Sequence, residues 1–555
     1  MDMRRPAVLR AATSTLGALL VAFALFPAAA DAAAGQLDPT FGSGGFTVLD
    51  EPSLKNESLS DVIVLPDGKI LGAGGRGNSS GFLLARLNPD GKPDTTFGPE
   101  GVRVEPDLDM EGNPRRIEAI QLRADGKIVA VGLGRGPKGV GAFEFARYKP
   151  NGELDPSFGT NGLTTVPIEP FGDAFALDQT PGGKLVAAGS SEAKATVVRV
   201  TENGEPDSTF NAAPKGVRFV DVPGSISEEA EAVRVLPGGN ILIGGFSENG
   251  AFLAELDENG EPVPGFGTAG IAVHDMGTDV APTGEIFDLK VLPDGRILAT
   301  GSALAGPNNE ESFVARFKPE GELDPSFGTG GIFRADPTPA DDETESLEVL
   351  PDGRILVAGL RNETLLGQTA ETWIYRLTPD GHLDPTFGSG GESFASAAPG
   401  DDGAFGLAVQ PDGKAVIAGG AEEPGVGDKL LFGRFLADPA LEPIKGTGNP
   451  KARRCAGRRA TIVGSGKADR IRGTKGVDVV VALGGNDRID TRGGNDVICA
   501  GAGNDKVNAG KGRDTVLGEG GRDVLIGGPG PDLCNGGAGR RDIAKQSCEK
   551  VKKVP

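Results

Sequence analysis

Eight aspartates near the C-terminus, Asp469, Asp478, Asp487, Asp496, Asp505, Asp514, Asp523 and Asp532, fall nine residues apart without a slip. A glycine stands two residues before all but the first, from Gly476 to Gly530. An apolar residue stands two after: Ile471, Val480, Ile489, Ile498, Val507, Val516, Leu525 and finally Cys534. Aspartate and the apolar position two after it held in phase over eight repeats, with glycine in seven of them, are not a product of chance. Carboxylates that a fold brings close together repel one another unless a divalent cation lies between them, and with backbone carbonyls they would make a hard oxygen set of the kind that calcium takes. The glycines permit loop conformations that aim those carbonyls, and the apolar positions supply a thin inward-facing core.

The G-x-D-x-U pattern at period nine resembles the hemolysin-type (RTX) calcium-binding nonapeptide repeat. The resemblance implies a small parallel β-roll in which two nonapeptides make one turn. Aspartates eighteen apart then stack in two columns, 469, 487, 505 and 523 on one edge and 478, 496, 514 and 532 on the other. Ca2+ is the implied cofactor, and its binding is expected to stabilise the fold itself. The full Gly-Asn-Asp core occurs at 485–487, 494–496 and 503–505. Val477, Arg513, Arg522 and Pro531 replace the Asn elsewhere, and Lys467 replaces the first Gly. The 487/496/505 region therefore carries the expectation best, and Asp542 reads as a degenerate capping repeat. An Asp/Gly-rich solenoid that folds without metal is the alternative.

The ladder occupies 459–544, behind a Pro/Gly-rich basic linker at 438–458 and ahead of a basic tail at 545–555. The net charge of −22 hides an asymmetry: residues 36–444 carry about −33 and 445–555 about +10, so two regions of opposite sign are implied. Nucleic acid is not an expected partner of the acidic one. All four cysteines, Cys455, Cys499, Cys534 and Cys548, lie in the basic region. An even number in an exported chain predicts two disulfides; three pairings are open, and Cys455–Cys499 with Cys534–Cys548 is the favoured one.

Upstream, residues 35–437 repeat with a longer period. LDPTFGSGG occurs at Leu37 and again at Leu383, with relatives at Pro93, Leu154, Pro206, Pro262 and Leu323, which gives seven copies about 58 residues apart. Each unit also carries a turn such as VLPDGKIL (Val64) and a second such as LARLNPDGK (Leu84). Pro-Asp-Gly between apolar runs makes a tight hairpin, because Pro fixes φ, Asp bonds its own backbone and Gly accepts positive φ. Each unit reads as four strands, one after FGxGG, one entering the first hairpin, one leaving it and one before the second turn. The expected class is all-β: a seven-bladed β-propeller followed by the roll. The LDPTFG and LPDGKI signatures resemble the delta-60 repeat, a bacterial repeat with no assigned activity.

Asp38, Asp155, Asp324 and Asp384 of these motifs could form a ring of carboxylate sites. A structural joint explains them better: the Asp starts a turn and the Phe packs between blades, since Val263 replaces Asp in the fifth copy. Catalytic signatures are sparse. His274 and His382 fall in different units, Trp373 and Tyr375 share one strand face, and no nucleophile elbow, phosphate loop or His-Glu-x-x-His appears. The acidic segment Asp107–Glu118 has partial calcium-loop spacing but reads as a solvated loop.

Arg4, Arg5 and Arg10, the apolar run Leu16–Phe26 and small residues after it make 1–34 a secretory signal peptide. The expected protein is secreted and extracellular, has no membrane span, and binds calcium ions. Its propeller is expected to act as an interaction scaffold for an extracellular protein or polysaccharide. The competing class is a secreted hydrolase or lyase with its active site in the propeller funnel, which carboxylates facing inward beside His274 or His382 would favour.

Overall fold

The structure is a computed structural model. It describes residues 34–49, 57–436 and 454–552, with breaks at 77–78, 106–115, 137–138, 212–213, 278–282, 307–308, 336, 339, 364–368, 456–457, 465–466, 519, 537–542, 545–547 and 549. The signal segment, apart from Ala34, the core of the acidic segment at 106–115, most of the linker and Asp542 lie outside the described residues.

Residues 34–436 form seven four-stranded antiparallel blades. Two of them are joined into one eight-stranded sheet by the single pair Gly75–Arg116. The first blade runs Glu57–Val64, Ile70–Arg76, Ser79–Leu87 and Val102–Val104. Its hairpin is closed by Leu65 N–H to Lys69 O at 2.8 Å and Gly68 N–H to Leu65 O at 2.9 Å, with Gly68 at φ 84°. This is the Pro-Asp-Gly turn read from the sequence, and the same bond pair recurs in every blade, for example at Gln410–Lys414. Apolar side chains on the two faces of each sheet pack against neighbouring sheets. One core joins Leu59, Ile70 and Leu83 of the first blade to Val416, Leu430 and Phe432 of the seventh; such stacking is the main source of stability in an array of small sheets.

The blade is offset by one strand from the sequence unit. The strand after FGxGG, read as opening a unit, instead closes the sheet that the chain has just built. The seventh blade is completed in this way by the N-terminal strand Phe46–Leu49, which pairs with Gly427–Phe435 in the register Phe46–Gly433 to Leu49–Leu430. The ring is therefore sealed by strands from both ends of the propeller. The strand entering the Pro-Asp-Gly hairpin is innermost, since all seven such strands line one central cavity of about 1090 Å³.

The basic region is a parallel solenoid. Short strands eighteen residues apart pair in register, Arg470–Arg472 with Arg488–Asp490, Lys506–Asn508 and Val524–Ile526 in one sheet, and Val479–Val481 with Val497–Cys499, Thr515–Leu517 and Leu533–Asn535 in the other. Ile471, Val480, Ile489, Ile498, Val507, Val516, Leu525 and Cys534 are all buried between the two sheets. The disulfides are Cys455–Cys499 and Cys534–Cys548. Within the residues read as a basic tail, Lys550–Lys552 adds a strand against Leu533–Asn535, next to the second disulfide.

Candidate metal centre

The solenoid places the aspartates in the two expected columns and links them through their own backbone. Asp487 Oδ1 accepts the N–H of Asp469 at 2.7 Å, Asp505 that of Asp487 at 2.7 Å, and Asp523 that of Asp505 at 2.9 Å. On the other edge Asp496, Asp514 and Asp532 accept from Asp478, Asp496 and Asp514 at 2.8, 2.8 and 2.9 Å. Each column aspartate from Asp478 to Asp532 is buried. Whereas Asp478 accepts from Thr474 N at 2.7 Å, one oxygen of each carboxylate from Asp487 to Asp532 in these columns is thus committed to the neighbouring turn. The other, Oδ2, is buried without a hydrogen-bond partner at Asp487, Asp496, Asp505 and Asp514. A charged oxygen left in that state costs more than a neutral one, so a cation is the natural complement.

The backbone beside the columns is equally specific. A Cβ on Gly503, Gly512 or Gly521 would lie 1.6–1.8 Å from the carbonyl oxygen of Gly485, Gly494 or Gly503 in the preceding turn, at φ values of 130–136°. Only glycine can stack so closely. The donors on offer are carboxylates and glycine carbonyls, an all-oxygen set that suits a hard cation and not a soft one. Burial, reinforced by neighbouring aspartates of the same column (Asp478 beside Asp496, Asp487 and Asp523 beside Asp505, Asp496 and Asp532 beside Asp514), pushes Asp496 and Asp514 up to about 6 and Asp505 to about 7. Asp478 and Asp487 are raised as well, first by burial. Asp469, in the first repeat, donates to this network but accepts from no earlier aspartate.

The Asn of the Gly-Asn-Asp core has a job that the spacing alone did not reveal. Asn486, Asn495 and Asn504 Oδ1 accept the backbone N–H of residues 504, 513 and 522 at 2.8–2.9 Å, an outer ladder parallel to the inner one. Where Arg513 offers no such acceptor, the residue eighteen later is Pro531, which has no N–H to satisfy.

The carboxylates of the LDPTFG motifs have a different role. Asp155 Oδ1 accepts from Ser157 N and Oγ at 3.1 and 2.7 Å, while Oδ2 takes Arg147 Nε and Lys127 Nζ, both at 2.8 Å. Arg147 also donates to Glu202 O of the next blade at 2.6 Å and lies 4.9 Å from the centroid of the buried Phe158 ring. The same arginine–aspartate–cation joint recurs with Asp94, Asp207, Asp324 and Asp384. Asp38 makes it across the ring closure with Arg434 and Lys414. At the fifth copy all three members change together: Val263 replaces the Asp, Glu255 the Arg, and Asn240 the Lys, with Asn240 Nδ2 donating to Glu255 at 2.6 Å. The joint reading accounts for these aspartates. The arginine eight residues upstream was the missed partner, although it is legible as the AR, VR, YR or GR that recurs in every unit except at Ala254–Glu255.

Neither histidine lines the central cavity. His274 Nε2 bonds Gly321 O at 2.8 Å and its ring lies against Phe317, while His382 is an exposed turn residue beside Asp380. Trp373 and Tyr375 are buried in a blade core. Of the acidic segment, Glu118 sits in the inner strand Arg116–Leu122 and not in a loop; Asp107, Asp109, Glu111 and Gly112 lie outside the described residues. No helix among the described residues is long and apolar enough to cross a membrane.

Residues 65–97, 123–158, 292–327 and 350–387 match the family described as "Domain of unknown function (DUF5122) beta-propeller". Four overlapping stretches within 463–541 match the RTX calcium-binding nonapeptide repeat. No curated protein matches the chain. Similar solved structures include a protein of unknown function from Dyadobacter fermentans, 13% identical, covering 71% of this chain and 98% of its own with a TM-score of 0.35. An ulvan lyase is 9% identical over 69% of this chain and 95% of its own, with a TM-score of 0.36. Drosophila Plexin A, solved in complex with Semaphorin 1b, is 10% identical over 72% and 88%, with a TM-score of 0.38. This chain carries DUF5122 β-propeller repeats followed by RTX calcium-binding nonapeptide repeats.

Proposed function

We propose that this is an exported calcium-binding protein whose C-terminal roll folds around Ca2+ and whose propeller is a binding scaffold for an extracellular protein or polysaccharide. The observation that carries the reading is the row of buried aspartate oxygens without hydrogen-bond partners at Asp487, Asp496, Asp505 and Asp514, set beside stacked glycine carbonyls. Asp469, Asp478, Asp523 and Asp532 extend the same columns and complete the proposed ligand set. Calcium would supply the positive charge that lets adjacent turns approach, so binding and folding of the roll are linked. Export is supported by the N-terminal Arg-rich and apolar segment and by two disulfides in a chain without a free cysteine. Calcium titration of the full chain, followed by circular dichroism and by protection of the roll from proteolysis, tests the proposal. A saturable gain in both signals is expected; no change up to millimolar calcium would overturn it.

A further inference from the structure

The seven inner strands share one irregularity. In every blade the pairing of the inner strand with its neighbour slips four positions before the inner strand ends, leaving one residue outside the ladder. A bulge of this kind re-aims a side chain. The neighbouring strand makes room for it with glycine in all seven blades: a Cβ there, from Gly74 in the first to Gly419 in the last, would come within 2.0 Å of an inner-strand carbonyl oxygen. The bulged residues are Ser60 and then, in order around the ring, Glu118, Phe175, Glu231, Phe287, Glu345 and Phe405, and all of them line the central cavity. Carboxylate and phenyl ring alternate through six successive blades.

Fold stability does not explain this pattern. Half-buried phenyl rings on a cavity wall leave apolar surface in water, and carboxylates gathered around one channel repel. Burial, with the Glu285 carboxylate beside it, pushes Glu231 well above the usual range. Oxygens of Glu229, Glu231 and Glu285 lie within 4.8 Å of one another. The cavity is lined by ten acidic and three basic side chains. Those bases have partners already: Arg116 pairs with Glu118, and Arg234 and Lys290 both pair with Asp288. Places where a fold tolerates such costs are where function is expected.

The ligand chemistry follows from the alternation. A metal ion would use the oxygens but gain little from three phenyl rings, and a neutral sugar would not need the excess of carboxylates. An organic ammonium uses both, since the negative ring face and the carboxylate attract the cation while its methylene groups cover the aromatic surface. We propose that the bulge ring of the propeller channel is a binding site for a small linear polyamine. The cavity, about 1090 Å³, is large enough for one, given that small-molecule pockets span roughly 300–1,000 Å³. This goes beyond the reading of the propeller as a scaffold for a protein or polysaccharide and does not depend on calcium in the roll.

Isothermal titration of the full chain with spermidine, in saturating calcium and again in calcium-free buffer, tests the site. One binding event with the same affinity in both buffers is expected. The double variant Glu231→Gln/Glu345→Gln should weaken it about tenfold or more, and Phe287→Leu, which preserves charge and most of the bulk, about fivefold. Absence of binding up to millimolar spermidine overturns the proposal, as does an unchanged affinity in Phe287→Leu, which would mark simple charge attraction. Suppression of binding as calcium rises would make the channel a metal site and overturns it too. If the double variant fails to melt cooperatively, Phe287→Leu and the calcium comparison decide alone. Calcium-induced ordering of the roll is read separately, so either idea can fail without the other.

Discussion

One carboxylate bridges the seam at which the ring closes. Asp38, 1% exposed, reaches across 396 residues of sequence to Arg434, whose Nε donates to it at 2.9 Å, and it also takes Lys414 Nζ at 3.1 Å. Burial pushes its carboxyl up, but the Thr40 hydroxyl and N–H, Lys414 and Arg434 together outweigh that and hold it at about 2 against an ordinary 3.8. A displacement of that size is worth roughly 2.5 kcal/mol of folding stability at neutral pH. Asp38→Asn removes it and leaves Arg434, whose side chain is only 6% exposed, without its charge partner, so the expected loss is roughly 3 kcal/mol. Because the folded-state value is depressed, the contribution is present in full above the unfolded value near 3.8 and is lost as pH falls through 2. The wild-type protein should therefore lose stability steeply between about pH 4 and 2, with Asp384, also held at about 2, adding to the fall. The variant should fall less steeply, by the share of one proton. Trp373, the single tryptophan, is buried in the sixth blade, so its fluorescence in a denaturant titration reports on the propeller. If Asp38→Asn unfolds within about 0.5 kcal/mol of wild type at pH 7, charge does not hold the seam and the reasoning is refuted.

Other outcomes follow from the same geometry. Asp155→Val alone should destabilise the propeller by about 3 kcal/mol, because Arg147 keeps its charge in a buried place. Adding Arg147→Glu and Lys127→Asn, the set found naturally at residues 263, 255 and 240, should recover most of that loss in the same fluorescence titration. Gly503→Ala places a Cβ 1.7 Å from Gly485 O at φ +135°. It should prevent ordering of the central turns at any calcium concentration, read as loss of the calcium-dependent dichroism with the Trp373 transition unchanged.

Much of the architecture was legible because repeats report their own boundaries. The Pro-Asp-Gly hairpins, the buried phenylalanines and the two aspartate columns all stand where their spacing placed them. The one-strand offset was not legible, because the strand after FGxGG has the same alternation whether it opens a sheet or closes one; only its partner, Leu430–Gly433 for the strand at 46–49, decides. Arg147 and its equivalents were overlooked because an arginine in a strand reads as a solvent-facing residue until its aspartate is found eight positions on. The bulges at Glu118 or Phe287 leave no mark in a single unit. They emerge when all seven inner strands are aligned from their ends, with the glycine of the next strand as the accompanying signal.

Repetition has opposite meanings in the two regions. In the propeller each blade meets the next through the same arginine–aspartate–phenylalanine joint, so residues that recur are structural, and the one joint that departs does so at all three positions together. The channel is a single space shared by seven blades. A ligand there meets each blade once, so the residues that could recognise it are those that differ from blade to blade, as Ser60, Glu118 and Phe175 do at one bulge position. In the solenoid every pair of successive turns is itself a candidate site. A cation between turns meets the same aspartate and glycine at each step, so there the recurring residues are the candidate ligands, and departures such as Arg513 and Pro531 mark where the outer hydrogen-bond ladder stops. Repeated residues therefore have to be weighed against what a single repeat can complete alone: a joint needs two blades, a channel needs all seven, and a roll site needs two turns.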